Sequence, residues 1–275
     1  MSLMAMNRPV ERSYLYVPGN RPERFDKACA AGADAVIVDL EDAVPPVEKD
    51  SARAALSSWL AADKSVLVRI NAVGSEWFEG DLAACDVQGI SGVILPKAEG
   101  VADAVISLCR RRRIALFPLI ETAAGMAQCE AIAATPCVLR LMFGTIDFQF
   151  ELGIEGDGDE LLAFRSRLVL ASRIAGIQSP VDGPCTSWED PALLSSDCQR
   201  ARRLGFGGKL CIHPKQVAIV NAAFAPGESE IAWAHKVLDA AQRSGGAAVA
   251  VDGRMIDRPV ILKAEQIIRE ATRSV

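Results

Sequence analysis

A chain of 275 residues, half of them apolar and with a formal net charge of −5, is long enough for one (β/α)8 barrel or one two-lobed α/β domain. A core of that size needs no disulfide or structural metal, and the mild acidity argues against nucleic acid as the main partner. No apolar run approaches the roughly 18 residues of a membrane-spanning helix. The eight cysteines form no CxxC pair and lie scattered through apolar runs, as expected of reduced core thiols in a cytoplasmic protein. His213 and His235 alone do not suit a His-based zinc site. Met1-Ser-Leu ahead of Met4 and Met6 reads as an added leader, and no signal peptide is expected.

Taken in order, the chain shows eight strand-then-helix units. Tyr14 to Val17 is the first strand, followed by Pro18-Gly19-Asn20 and a helix with Pro22 early, where helices tolerate it. Ala35 to Leu40 is the second, and Val47 to Ala62 its amphipathic helix, with Ala52, Ala55, Leu56 and Trp59 on one face. Ser65 to Ile70 is the third, with an irregular connection through Gly74 and Trp77 to Cys85. Gly92 to Leu95 is the fourth, with a helix from about Val101 to Arg112. Two apolar runs follow. Ala115 to Ile120 ends in Glu121, and Val138 to Ile146 ends in Asp147, with a helical segment between them. After the polar loop Gly153 to Asp159 come a long helix, Glu160 to Ala175, and a weak seventh strand, Ser179 to Asp182. The helix Pro191 to Leu204, the eighth strand Lys209 to Ile212 and a helix after Pro214 complete the set. Such alternation implies a parallel sheet, and eight units at this length imply a closed (β/α)8 TIM barrel over residues 12–225.

Residues 226–275 read as an appendage too small for an independent domain. A helix Glu228 to Ser244 is broken by Gly245-Gly246. A hairpin from Ala247 to Ile256 has Asp252-Gly253 as its turn, and Asp257 precedes a last helix, Pro259 to Thr272. This helix–hairpin–helix suits a lid or a subunit arm.

Strand ends at the C-terminal edge of such a barrel carry its chemistry. Here they present Asp39-Leu40-Glu41-Asp42, Arg69-Ile70-Asn71, Pro96-Lys97, Glu121, Asp147, Asp182 and His213-Pro214. Glu121 and Asp147, ending neighbouring parallel strands about 4.8 Å apart, suit a hard divalent cation shared with substrate and water, or else are two solvated loop acids. Arg69, permanently cationic at the end of a buried strand, suits a developing oxyanion. Lys97 suggests a Schiff-base lysine, but its neighbour Glu99 makes a screened ion pair the plainer expectation. Glu41 and Asp42, with Asp39, read either as groups that orient metal-bound water and Arg69 or as an acid cluster at a helix start. Asp257 reads on its own as an N-cap of the last helix.

The stretches Ser13-Tyr-Leu-Tyr-Val-Pro-Gly19, Val38-Asp-Leu-Glu-Asp-Ala-Val44, Val68-Arg-Ile-Asn71, Leu95-Pro-Lys97, Ile120-Glu-Thr-Ala123, Phe143-Gly-Thr-Ile-Asp147 and Ile212-His-Pro214 together resemble the citrate lyase β-subunit-like family of the HpcH/HpaI aldolase superfamily, which includes malyl-CoA and citramalyl-CoA lyases. The resemblance runs from about Arg12 to Thr272. It implies a trimeric or hexameric barrel enzyme, a carbon–carbon lyase, with Mg2+ (or Mn2+) on Glu121 and Asp147. It also implies Arg69 on the carbonyl or enolate oxygen, helped by Glu41 and Asp42. Tyr16, Arg21 and Lys27 match positions that hold coenzyme A, and Ile212 and His213 belong to the same binding set. Met255-Ile-Asp257 resembles an arm motif whose Asp enters a neighbour's active site. The implied partners are an acyl-CoA thioester and an α-keto acid. A citrate lyase β subunit acting on an acyl-carrier-protein thioester, a class II pyruvate aldolase without coenzyme A, and a non-catalytic scaffold subunit are the alternatives. Thr145-Ile146, where many members have a Glu before the metal Asp, and Glu151, where an Asp is commoner, depart from the family pattern.

Overall fold

The computed structural model describes residues 10–61, 63–243, 249–251 and 254–272. The expected leader, the Gly245-Gly246 break and the Asp252-Gly253 turn lie outside them. Among the described residues no helix is long and apolar enough to cross a membrane. The chain divides into two compact units, residues 1–221 and 222–275.

The first unit is a closed barrel of eight parallel strands in sequence order: β1 (Ser13–Pro18), β2 (Ala35–Asp39), β3 (Val66–Arg69), β4 (Ile90–Leu95), β5 (Ala115–Ile120), β6 (Met142–Phe143), β7 (Val181–Asp182) and β8 (Gly208–Cys211). β8 pairs back onto β1 through Tyr14 and Leu210, which removes any free edge. Inward side chains fill the barrel with one cluster that includes Tyr14, Ile37, Leu67, Ile94, Phe117, Leu119, Met142, Val181 and Leu210. The residues between them, such as Val36, Val38, Val68, Val93 and Leu116, are also buried. Burial on both faces is why these strands read as unbroken apolar runs rather than as alternating ones.

Among the described residues eight helices follow strands β1 to β7: α1 (Phe25–Cys29), α2 (Lys49–Trp59), α3 (Phe78–Ala84), α4 (Asp103–Arg112), α5 (Ala123–Ala133), α6 (Thr145–Leu152) with α7 (Leu162–Ala175) after β6, and α8 (Pro191–Leu204). α9 (Val217–Phe224) follows β8. Several boundaries differ from expectation. The irregular third connection contains a helix, α3. The expected helix from Val47 begins later: Pro46–Glu48 form a single 3-10 turn, with Val47 exposed, and the α-helix starts at Lys49. The sixth strand is shorter than its apolar run. Val138 makes only an isolated bridge to Leu116, and Arg140 is buried where its guanidinium donates to the carbonyls of Glu11 and Ser179 and to the Tyr14 hydroxyl. All eight cysteines are free thiols, and all but Cys29 and Cys137 are buried.

The second unit contains α10 (Glu228–Arg243), the antiparallel pair β9 (Val249–Val251) and β10 (Arg254–Ile256), and α11 (Arg258–Ala271). Ala234, Val237, Ile256, Ile261, Ala264 and Ile267 form its own apolar core.

Candidate active site

Glu121 is the first residue beyond β5, and it is 1% exposed. The register Ile120↔Phe143 sets β6 beside it, and the Gly144 amide donates to the Ile120 carbonyl at 2.9 Å. This close approach requires Gly144, because a Cβ there would fall onto the Glu121 carboxylate. Glu121 Oε1 accepts from the Lys97 amide at 2.7 Å. Asp147 does not end the sixth strand as expected. β6 stops at Phe143, and Asp147 is the third residue of α6, half-buried in the helix's first turn.

Burial pushes Glu121 up to about 8, with the Glu41 and Asp147 carboxylates adding to the rise and the Lys97 amide opposing it. A buried carboxylate held in this way beside a second one is a donor set that a cation stabilises. Among the described residues no group of three or more His, Cys, Asp or Glu is arranged around a metal position. Two carboxylates, with the other places left to substrate and water, match the preference of Mg2+, so the residues present fit that ion.

Across the barrel mouth the acid turn after β2 meets the end of β3. Asp39 and Arg69 are register partners, and they form a two-point ion pair: Nη2 to Oδ2 at 2.6 Å and Nε to Oδ1 at 2.8 Å. Arg69 Nη1 lies 3.0 Å from Glu41 and 3.5 Å from Asp42. Burial acts to lower the Arg69 pKa, but the Asp39 and Glu41 carboxylates raise it well above the ordinary value. The turn itself is fixed from behind. Buried Lys49 donates to the carbonyls of Leu40 (2.6 Å) and Glu41 (2.7 Å) and to Asn71 Oδ1 (2.7 Å). The Lys97 ammonium pairs with Glu41 and not with Glu99 as expected, and lies 3.9 Å from Asp42. Burial pushes Glu41 up, against the pull of Arg69 and Lys97.

Around the rim, Tyr16 is partly buried under the Arg69 guanidinium, 5.0 Å from ring centroid to Cζ. Burial raises its hydroxyl well above the ordinary value, so it stays a phenol. Arg21 and Lys27 are exposed on the β1–α1 segment. The Ile212 and His213 amides both donate to Gln216 Oε1, at 2.8 and 3.1 Å. Asp182 differs from expectation. It ends β7, but its carboxylate is wholly buried against Arg165 (2.9 Å) and Lys209 (2.9 Å), so it supports the wall and does not face the mouth. In the second unit, Asp257 caps α11 with Oδ1 accepting from the Val260 amide at 3.3 Å, and its side chain is exposed.

Nothing in the sequence marks Lys49, Gly144 or Gln216 for these positions, and Glu99, the sequence neighbour of Lys97, is not its partner. Lys97 stands two residues beyond the end of β4, and its partner Glu41 lies 56 positions away in sequence, so no neighbouring residue marks the pair.

Residues 12–214 match the family HpcH/HpaI aldolase/citrate lyase. A citrate lyase subunit beta-like protein of Deinococcus radiodurans is 37% identical over 96% of this chain and 99% of that protein. A (3S)-malyl-CoA thioesterase of Cereibacter sphaeroides is 35% identical, with 94% of each chain covered. Among solved structures, CitE of Mycobacterium tuberculosis in complex with magnesium, acetoacetate and coenzyme A is similar at 36% identity and a TM-score of 0.84, over 96% of this chain and 98% of that one. With its barrel, its motifs and these likenesses in agreement, the chain belongs to the HpcH/HpaI aldolase/citrate lyase family of carbon–carbon lyases.

Proposed function

We propose that the chain cleaves, or forms, a 3-hydroxyacyl-CoA thioester of the citramalyl-, malyl- or citryl-CoA kind, giving an acyl-CoA and an α-keto acid with Mg2+ as cofactor. The observation that carries this is the buried Glu121 carboxylate beside Asp147, in one barrel mouth with the carboxylate-locked Arg69.

Glu121 and Asp147 would hold Mg2+, or Mn2+ as a substitute of similar donor preference, which would supply Lewis acidity at the hydroxy-acid end. In cleavage the hydroxyl gives its proton to solvent water, and its oxygen becomes the keto acid's carbonyl oxygen. The C–C bond electrons pass to the thioester α-carbon as an enolate. Arg69 stabilises the charge on the enolate oxygen, and Asp39, Glu41 and Asp42 hold the guanidinium still while it does so. Asp257 delivers the proton to the enolate carbon, and removes it in the forward condensation. Asp257, carried by the second unit, serves this role from a neighbouring copy in a trimer or hexamer. Arg21, Lys27, Ile212 and His213 take the coenzyme, and Tyr16 meets its thioester end.

The test is an assay of the pure protein with Mg2+ against malyl-, citramalyl- and citryl-CoA, following both keto acid and free hydroxy acid. Keto acid release supports the lyase. Hydroxy acid release alone overturns it in favour of thioester hydrolysis, the activity in the name of the C. sphaeroides relative. A Leuconostoc mesenteroides citrate lyase subunit beta is 32% identical. Turnover confined to an acyl-carrier-protein thioester would therefore place the chain with that subunit.

A further inference from the structure

We infer that Trp188 is a binding residue for the substrate's nucleotide end, with its indole stacked on His213 as a platform for a purine base and Lys215 beside it for a phosphate. This rests on the proposal that the substrate is a coenzyme A thioester.

Trp188 lies in the loop after β7, and His213 follows β8. Their rings stack at 5.8 Å with planes 21° apart, within the usual range of offset aromatic pairs. The pair is built rigidly. Gln216 is 1% exposed. Its Oε1 accepts from the Ile212 and His213 amides, and its Nε2 donates to the Cys185 carbonyl at 2.7 Å. One buried amide therefore ties the β7 loop to the β8 loop. His213 Nδ1 accepts from the Lys215 amide at 3.2 Å, which fixes the plane of the imidazole.

Trp188 nevertheless remains 47% exposed. A Trp used for packing alone is mostly covered, whereas a base-stacking Trp keeps a face open. The charge around it is complementary. Lys215, Arg21 and Lys27 are exposed, and none of the three has an ion-pair partner among the described residues. β7, β8 and β1 are consecutive in the barrel, so these cations and the aromatic pair share one arc of the rim. An aromatic face and unpaired cations together recognise a phosphorylated purine nucleoside.

The experiment is calorimetric titration of the full-length protein with adenosine 3′,5′-bisphosphate, the nucleotide end of coenzyme A. The wild type should bind it. Trp188→Ala should weaken binding about 5- to 150-fold, the range of one aromatic–base stack, and Trp188→Phe should keep most of it. The KM for the coenzyme A thioester should rise by a similar factor at unchanged kcat, because a remote contact binds ground and transition states alike. The KM for the matching pantetheine thioester, which has no base, should not move. Unaltered bisphosphate binding by Trp188→Ala, or none by the wild type, would overturn the inference. Thioester cleavage by a wild type that binds no bisphosphate would sink this inference and leave the lyase standing. Trp188-dependent binding without keto acid release would do the reverse.

Discussion

The Lys97 amide donates to Glu121 at 2.7 Å while the ammonium of the same residue pairs with Glu41. Lys97 reaches both carboxylates from a left-handed backbone, φ 46°, which is uncommon for a residue with a Cβ. One Glu121 oxygen is thereby occupied and oriented, and the other is left for a cation.

Metal binding should release a proton. With Glu121 raised from 4.5 to about 8, the metal-free fold holds a proton that the unfolded chain gives up between those values. The unfolded state thus binds fewer protons across that window. This group therefore makes the metal-free protein less stable as pH rises toward about 8. Mg2+ displaces the proton, so its apparent affinity and its gain in Tm should both grow from pH 6 to pH 8. Calorimetry in two buffers of different ionisation enthalpy measures the proton released. Zero release at pH 6.5 would refute the assignment.

Gly144→Ala should damage the metal site more than the fold. The added methyl meets the Glu121 side chain and not the barrel core. Overpacking costs about 1–3 kcal/mol, which a domain of this size tolerates. Displacing Glu121 should weaken Mg2+ binding at least about tenfold. The pairing of Mg2+ titration with a thermal melt tells the two effects apart, and an intact Mg2+ affinity would contradict the geometry described for Glu121.

Arg69→Lys keeps the positive charge but loses the fork that holds Asp39 at two points. The expected loss is about 10²–10³ in kcat, the cost of one misplaced oxyanion donor, with Mg2+ affinity nearly unchanged. Steady-state kinetics with a Mg2+ titration decide it. A loss seen only in KM would point to ground-state binding instead.

Asp257→Asn separates capping from proton transfer, since Asn caps a helix about as well as Asp. Tm should therefore hold while kcat falls roughly 10²–10⁴. Mixing Asp257→Asn with Glu121→Gln subunits after verified exchange should restore part of the activity if the acid acts across a subunit boundary. No recovery would confine Asp257 to its own chain.

Much of the barrel was legible because buried parallel strands leave plain apolar runs, and helices such as Pro191–Leu204 carry their caps in sequence: Asp190 before and Gly205 after. The same signal misled at β6. Val138 to Leu141 makes single backbone contacts with Leu116, Gln178 and Val181 rather than a continuous ladder, and Arg140 hidden within it answers carbonyls far away in sequence. α3 was obscured by Gly80, which breaks its helical pattern. In the site, Glu121, Asp147 and Arg69 stood out as charges at the ends of apolar runs. The Lys97–Glu41 pair, which joins residues 56 positions apart, did not. A nearby sequence partner, Glu99, hid it. Asp182 carried the same mark as Glu121, but strand-end position does not say which way a side chain turns, and a buried Lys and Arg claimed it.

Asp39 and Arg69 face each other as register partners of β2 and β3, both still within their strands. The positive charge is therefore mounted on the barrel wall and owes its placement to sheet hydrogen bonds. The loops of the rim other than the Leu40–Asp42 turn can lengthen, shorten or change composition without moving it. A lineage built on this frame is free to trade one acyl group for another at its rim while inheriting the same electrophile, so substrate range can drift faster than chemistry.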